Sequence, residues 1–494
     1  MLPAFHDAHV HPVSAGVELG QCNLNDLDSQ DEVLAMVARC VDAQRDRPWL
    51  VGGGFALTVF RGGAPTRQAL DAVTGDQPAA LSSSDGHTLW VNSAALQAAG
   101  IARATPDPPA GRIERDASGA PTGVLREAAA DLVTAVLPAT TGEEYEAGLR
   151  RALAAMNQVG IVSFQEASAR DGGVAAYRAV AAQGELTARA RLSLYADPAK
   201  GPDQVEAMVA TRAAVEAPGL SAGAVKIFVD GVIEAGTAAL LEPYLPLAGE
   251  RPLPPNSPQA RGLPNFSDQA LQALVVRLDA AGFQTHLHAI GDRGVRQGLD
   301  AIAAADRHNG RRDRRAHIAH VQLIDPADIP RFAALGVVAN VQALWARADP
   351  FITELTEPRL GPARSRWLYP FGSLHRAGAR LAGGSDWSVS SVNPLHAIQV
   401  GVTRKAVTAA ADGAPWRPDE RLDLTTMLEA YTRGGAWLNF EDDRSGSLET
   451  GKLADLIVLD RDPYAVAPEA LHTLRVLWTL LEGREVWRDP AFRP

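Results

Sequence analysis

Two cysteines, Cys22 and Cys40, are all that this chain of 494 residues carries. A disulfide framework is thereby excluded, and a reducing cytoplasm is the expected compartment. No run of eighteen apolar residues occurs, which excludes an ordinary membrane-spanning helix. The opening MLPAFHDAHVHP has neither a basic n-region nor a long apolar core, so no signal peptide is expected. Basic charge is outweighed: 47 Lys plus Arg against 58 Asp plus Glu leave a formal charge of −11. Phosphate neutralisation needs a basic surface, so a general nucleic-acid binder is excluded. Lysine is the scarcest charged residue, at Lys200, Lys226, Lys405 and Lys452 alone. Wherever a bare cation suffices the chain uses Arg, so a lysine inside an apolar run needs a reason.

What is present is an ordinary globular balance, 46% hydrophobic with 44 Gly and 33 Pro. Strand-like apolar runs recur between helix-like stretches. Eight are legible: Ala4 to Val10, Gly160 to Glu166, Ala188 to Tyr195, Ala224 to Val229, Gln284 to Ile290, Arg315 to Val321, Val337 to Gln342 and Arg380 to Ser385. Between them, Glu143 to Val159, Ser267 to Ala281 and Gly294 to Ala305 carry apolar residues at helical spacing, with Ser267 as an N-cap and Gly282 as a stop. Alternation of this kind predicts a parallel sheet, and eight units close a (β/α)8 barrel. The expected division is a barrel over 1–445, interrupted by an excursion at about 12–140, and a small β-domain over 446–494. The excursion contains a hairpin-like pair, 111–115 and 123–126. Leu241 to Pro264 is dense in proline and reads as a long ordered loop. Short strands are expected at Asp455 to Leu459, Leu474 to Leu480 and Glu485 to Arg488, with a turn at Glu482-Gly483.

Five polar sites fall at or near the C-terminal ends of these strands, where such barrels gather their chemistry. His9 and His11 are two apart on a strand, so both imidazoles project from one face, as a metal requires. Lys226 lies in Gly223-Ala-Val-Lys-Ile-Phe-Val-Asp-Gly231. A buried amine is costly unless paired; carboxylation by carbon dioxide would turn it into an anionic metal bridge, which Arg cannot become. His286 and His288 repeat the His-x-His spacing. His317 and His320 are three apart, so at most one is expected to face the barrel interior. Asp386 follows Gly383-Gly384-Ser385, whose small residues allow close backbone approach. For each site a bland reading competes: packed core histidines, a snorkelling lysine, an Asp acting as helix N-cap.

In this order the residues resemble the amidohydrolase superfamily and, more narrowly, amidohydrolase family 3, which contains N-substituted formamide deformylase-like enzymes. The resemblance rests on Phe5-His-Asp-Ala-His-Val-His11, Asp85-Gly-His-Thr-Leu-Trp-Val-Asn-Ser93, Val225-Lys-Ile-Phe-Val-Asp-Gly231, His288-Ala-Ile-Gly-Asp-Arg293, His320-Val-Gln322, Gly384-Ser-Asp-Trp387 and Gly451-Lys-Leu-Ala-Asp-Leu-Ile-Val-Leu459. It implies an α/β fold, a (β/α)8 TIM-like barrel with a small β-sandwich. It also implies two divalent ions, zinc for preference, bridged by carboxylated Lys226: His9, His11 and Asp386 on the first, His288 and His320 on the second. The implied activity is hydrolysis of a non-peptide C–N bond, N-formyl or N-acyl, in a small amide-type molecule. Asp386 is the implied general acid–base, and His87 an oxyanion contact or, equally, a loop hydrogen bond. His286 and His317 are not carried over. His317 stands where the family usually has Arg, and Ala319 where it usually has Glu.

Three readings compete. A mononuclear deaminase of the same superfamily would carry Glu three residues after His288, where this chain has Gly291. A non-catalytic homologue would have lost a ligand, and none of the six is missing. An isoaspartyl or acyl-amino-acid hydrolase would differ only in substrate. Neither partner proteins nor oligomeric state is encoded legibly, and a homo-oligomer is left open. Family members carry several tens of residues before the first barrel strand, whereas Met1 lies eight residues before His9. The apolar run Leu474-Arg-Val-Leu-Trp-Thr-Leu-Leu481 would otherwise lack a cover. We therefore expect a native chain longer than this one and an N-terminally incomplete sandwich.

Overall fold

All eight apolar runs form strands, and they pair in one parallel sheet in chain order. The computed structural model describes residues 1–25, 27–60, 64–109, 111–247, 253–254, 256–408 and 413–493. The barrel strands are Phe5–Val10, Ile161–Ala169, Arg189–Tyr195, Leu220–Phe228, Gln284–Ala289, His317–His320, Val338–Val341 and Leu381–Gly383. They are numbered first to eighth below. Nearly every residue in them is buried, as expected of strands covered on both faces. Past their ends the first and eighth strands are tied: the Asp386 amide donates to the His9 carbonyl at 2.7 Å, and the His11 amide to the Trp387 carbonyl at 3.0 Å. The mixed α/β class and TIM-like barrel are thus present.

The helices lie where the spacing predicts them, over Gly142–Gln158, Asp268–Ala280 and Asp292–Asn309. Ser267 caps the second of these, its hydroxyl accepting from the Ala270 amide at 3.2 Å. Gly282 ends the turn that follows in the left-handed region, with φ 80°.

Two compact units are distinguished: Met1–Pro12 with Leu149–Pro494, and Val13–Gly148. The first holds the barrel and a four-stranded antiparallel sheet, in which Leu456–Leu459 lies between Leu2–Pro3 and Val476–Leu481, and Arg484–Arg488 forms the far edge. The first residues of the chain thus pair with this sheet, Leu2 opposite Ile457. Arg189 braces the sheet's connections, 2.5 Å from Asp455 and 3.1 Å from Glu441. The stretch after the fourth strand is an ordered loop where described. Its Leu241 amide donates to Asp292 and its Tyr244 amide to the Ala260 carbonyl, each at 2.8 Å. Residues 248–252 and 255, within the Leu241 to Pro264 expectation, lie outside the described residues.

The second unit is built on a six-stranded mixed sheet, ordered Cys22–Asn23, Leu50–Phe55, Ala79–Ser83, Thr88–Val91, Pro121–Glu127, Gly111–Arg115. The expected hairpin is its last pair. Trp49, Leu89, Val91, Leu96, Leu125 and Val133 supply much of its core. One expectation is corrected here. Cys22 and Cys40 are bonded to each other, with Cα atoms 5.6 Å apart. A single pair needs no framework, so the cysteine count gives no ground for a reducing compartment. No described helix is long and apolar enough to cross a membrane.

Candidate metal centre and active site

Asp386 collects the site. Its Oδ1 is 3.1 Å from His11 Nε2 and 3.3 Å from His9 Nε2, and its Oδ2 is 3.8 Å from His320 Nδ1. His9, His11 and Asp386 each offer a ligand atom, all within 4.8 Å of one another. Lys226 Nζ is 3.2 Å from His9 Nε2 and 4.7 Å above the Phe228 ring. His320 packs its ring 4.8 Å from that of His9 and 4.5 Å from that of His288. The six residues singled out from the sequence are therefore gathered at one end of the barrel, and all but His11 are buried.

Local backbone explains part of this convergence. His320, Val321 and Asp386 adopt φ of 77°, 42° and 53°. Non-glycine residues, β-branched ones above all, seldom occupy this left-handed region, and such strain concentrates at functional sites. It also corrects the spacing argument for His317 and His320. Both face the barrel interior, because His320 leaves the extended pleat and no longer alternates with its neighbours. His317 meets His286 with ring centroids 4.0 Å apart.

The electrostatics are those of a desolvated centre. Burial pushes Asp386 upward, but His9 and His11 outweigh it and hold the carboxyl well below its ordinary range. Burial also opposes the charge on His11, yet its bonds to Asp386 and Glu166 raise it to about 9. Burial, aided by the Lys226 charge, lowers His9 to about 3. Burial lowers Lys226 to about 7 and His320 well below the usual histidine value. Two buried atoms of this cluster, Asp386 Oδ1 and His320 Nδ1, lack a well-directed hydrogen bond, Oδ1 having only its close approaches to the His11 and His9 nitrogens. Buried polar atoms are seldom left so. Imidazole nitrogens, a carboxylate and an amine that carbon dioxide can carboxylate form a donor set suited to a divalent ion such as zinc. The residues present fit such an ion.

Several supporting residues were not legible as such. Glu166 ends the run read as the second strand; its Oε1 is 3.6 Å from His11 Nδ1, and its Oε2 accepts from Tyr177 Oη at 3.0 Å. His286 Nε2 lies 2.8 Å from His9 Nδ1, with its Nδ1 2.9 Å from Ser193 Oγ. Gln342 Oε1 accepts from the His320 amide at 2.9 Å. Asp230 accepts from the amides of Ala239, Ile290 and Gly291 at 2.8 to 3.0 Å, and its Oδ1 lies 3.9 Å from His288 Nε2. It joins the loops after the fourth and fifth strands, which accounts for the Val-Asp-Gly ending of the lysine segment. His87, in the second unit, has Nδ1 2.9 Å from Glu127 Oε2. That is the loop hydrogen bond considered beside its oxyanion role.

The chain resembles known proteins along nearly its whole length. The model of the amidohydrolase family matches residues 1–487. Putative amidohydrolase YtcJ of Bacillus subtilis is 31% identical over 99% of this chain and 89% of its own. N-substituted formamide deformylase of Arthrobacter pascens is 28% identical over 98% and 87%. In fold, an uncharacterized metal-dependent hydrolase from Pyrococcus horikoshii superposes with TM-score 0.72 at 24% identity, covering 94% of this chain and 87% of that one.

Proposed function

This chain belongs to the amidohydrolase family, and from that premise we propose that it hydrolyses a non-peptide C–N bond, an N-formyl or N-acyl amide of a small molecule. The observation that carries the reading is the convergence of His9, His11 and Asp386, whose ligand atoms all lie within 4.8 Å of one another, with His320 Nδ1 3.8 Å from the second oxygen of the same carboxylate. His9, His11 and Asp386 would hold one divalent ion, and His288 and His320 a second, with carboxylated Lys226 between them. When bound, such ions acidify water and polarise a carbonyl. Asp386 takes the proton of the attacking water and hands it to the leaving nitrogen. Its depressed pKa keeps it ionised at neutral pH. Glu166 and His286 hold His11 and His9 by their outer ring nitrogens, and burial keeps bulk water from competing. The amide preference draws support from the formamide deformylase among its relatives.

A screen of N-formyl and N-acyl amines against metal-replete protein tests the substrate class. Asp386→Asn should lower kcat by roughly two to four orders of magnitude with the fold retained; near-parental turnover would refute the proton role. A single-ion form is the second reading, favoured by the tight convergence of His9, His11 and Asp386 alone. Elemental analysis after growth with added bicarbonate separates the two. Nearly two equivalents, falling toward one or none in Lys226→Ala, supports the bridged pair; full content in that variant excludes it.

A further inference from the structure

Each barrel strand is laddered to the next in chain order, but the eighth is not laddered to the first. At this seam the expected ligands of the first ion meet: His9 and His11 come from the end of the first strand, and Asp386 follows the eighth. Register between strands is set by their ladder, so a seam without one needs other bonds to hold it.

Asp7 ties the two strands through a single atom. Its Oδ1 accepts from the His9 amide at 3.1 Å and from the Ser385 amide at 3.0 Å. The first amide belongs to a ligand residue, and the second stands immediately before another, Asp386. Just beyond it the backbone turns, with Asp386 at φ 53°, and the Asp386 amide donates to the His9 carbonyl at 2.7 Å. His9 is thereby held on both sides, at its amide by Asp7 and at its carbonyl by Asp386. All four residues are buried, so the Asp7 oxygen satisfies amides that would otherwise be costly to bury. Burying a carboxylate is itself costly, and an apolar residue would fill the same space. The two amides are what require an oxygen here.

We propose that Asp7 is a positioning residue, which sets the spacing between Asp386 and the His9–His11 pair and so the geometry of the first metal site. This rests on the metal-binding reading above. Asp7 acts through backbone amides and touches neither metal nor substrate.

Three variants of the full chain separate the contributions. Asp7→Asn keeps an oxygen acceptor in place. Asp7→Leu keeps the volume and removes the acceptor. Asp7→Glu keeps the carboxylate and moves it by one methylene. Cobalt(II) is the probe, its affinity measured by chelator competition and its ligand geometry by visible absorption. Asp7→Leu should bind cobalt at least about tenfold more weakly than the parent, the lower end for losing a partner that orients a ligand, and its spectrum should change. Asp7→Glu should also weaken binding and alter the spectrum, which keeps the test open should Asp7→Leu fold poorly. Asp7→Asn should retain the parent's affinity and spectrum even where its Tm falls. An Asp7 that serves stability alone would lower Tm and leave affinity and spectrum untouched; that result in folded Asp7→Leu or Asp7→Glu overturns the proposal, as does an Asp7→Asn that loses as much affinity as Asp7→Leu. Metal-free protein gives a separate readout. Hydrogen exchange at the His9 and Ser385 amides should be slow in the parent and in Asp7→Asn and faster in Asp7→Leu. If the parent binds no cobalt, the metal-binding reading itself has failed, and Asp7 is judged on these rates. If cobalt binds and both rates are unchanged in Asp7→Leu, the positioning role alone is overturned.

Discussion

His286 Nε2 lies 2.8 Å from His9 Nδ1, so a histidine outside the expected ligand set holds one inside it. For His9 to offer Nε2 to a metal, its proton must sit on Nδ1. That proton is donated to His286 Nε2, whose own Nδ1–H is then donated to Ser193 Oγ, 2.9 Å away. The chain of bonds fixes both tautomers and the ring orientation. Such outer partners are worth roughly 10–100-fold in metal affinity. His286→Phe should show a loss of this size in competition with a chelator, with a folded circular dichroism spectrum. Parental affinity would remove His286 from the site.

Lys226 predicts a pH dependence of stability. Its amine is held near 7 when folded, against an ordinary value of 10.5. The unfolded chain therefore binds the proton more readily, and the fold bears the full cost below about pH 7. The cost shrinks as pH rises toward 10.5 and vanishes above it. In metal-free protein without bicarbonate, Lys226→Met should be more stable than the parent at pH 7. The difference should fall by at most about 1.4 kcal/mol per pH unit between 7 and 10. Subtracting the two urea midpoints cancels the other titrations. A pH-independent difference would mean that Lys226 is not desolvated.

His11 carries the opposite shift, up to about 9. It is protonated at pH 7 in the metal-free chain, and a metal can use it only after that proton leaves. His9 and Asp386 are already unprotonated there, lowered to about 3 and well below the carboxylate range. Binding of a first ion at pH 7 should therefore release about one proton, and affinity should rise up to tenfold per pH unit until about 9. Calorimetry in two buffers of different ionisation enthalpy measures the release. Zero protons at pH 7, or affinity flat with pH, would contradict a protonated His11.

The barrel was legible because its strands are buried on both faces and read as continuous apolar runs, even where only three or four residues pair, as in Leu381–Gly383. The six clustered residues were legible for a related reason: polar side chains in such runs stand out. The sheet of the second unit was not, apart from its hairpin. Leu50–Phe55 carries three consecutive glycines and Cys22–Asn23 is only two residues long, so neither shows a strand pattern. Glu166 gave no signal either, since its partner His11 belongs to a distant stretch of sequence. The placing of His317 and His320 failed for a definite reason. Alternation assumes extended backbone, and His320 at φ 77° is not extended.

Gly384 offers a test of how the eighth strand presents Asp386. A Cβ there would lie 2.7 Å from His9 Cβ, 2.8 Å from the His9 backbone nitrogen and 2.9 Å from Gln342 Nε2. The first two belong to the ligand-bearing strand itself and cannot swing aside as the end of a long side chain would. Its φ is not positive, so the penalty in Gly384→Ala is one of contact and not of conformation. The added methyl should force the first and eighth strands apart and lengthen the reach from Asp386 to His9 and His11. Overpacking of this kind costs about 1–3 kcal/mol, and the disturbed ligand geometry should weaken metal binding as well. Gly142→Ala is the matched control, because a Cβ at that position meets nothing within 4 Å and its φ is not positive. It should leave metal affinity unchanged and leave stability equal or slightly raised, since alanine reduces the freedom of the unfolded chain. Melting curves and chelator competition on both variants decide the matter. If Gly384→Ala melts and binds metal as Gly142→Ala does, the two strands have slack, and the close approach at Gly384 does not position Asp386.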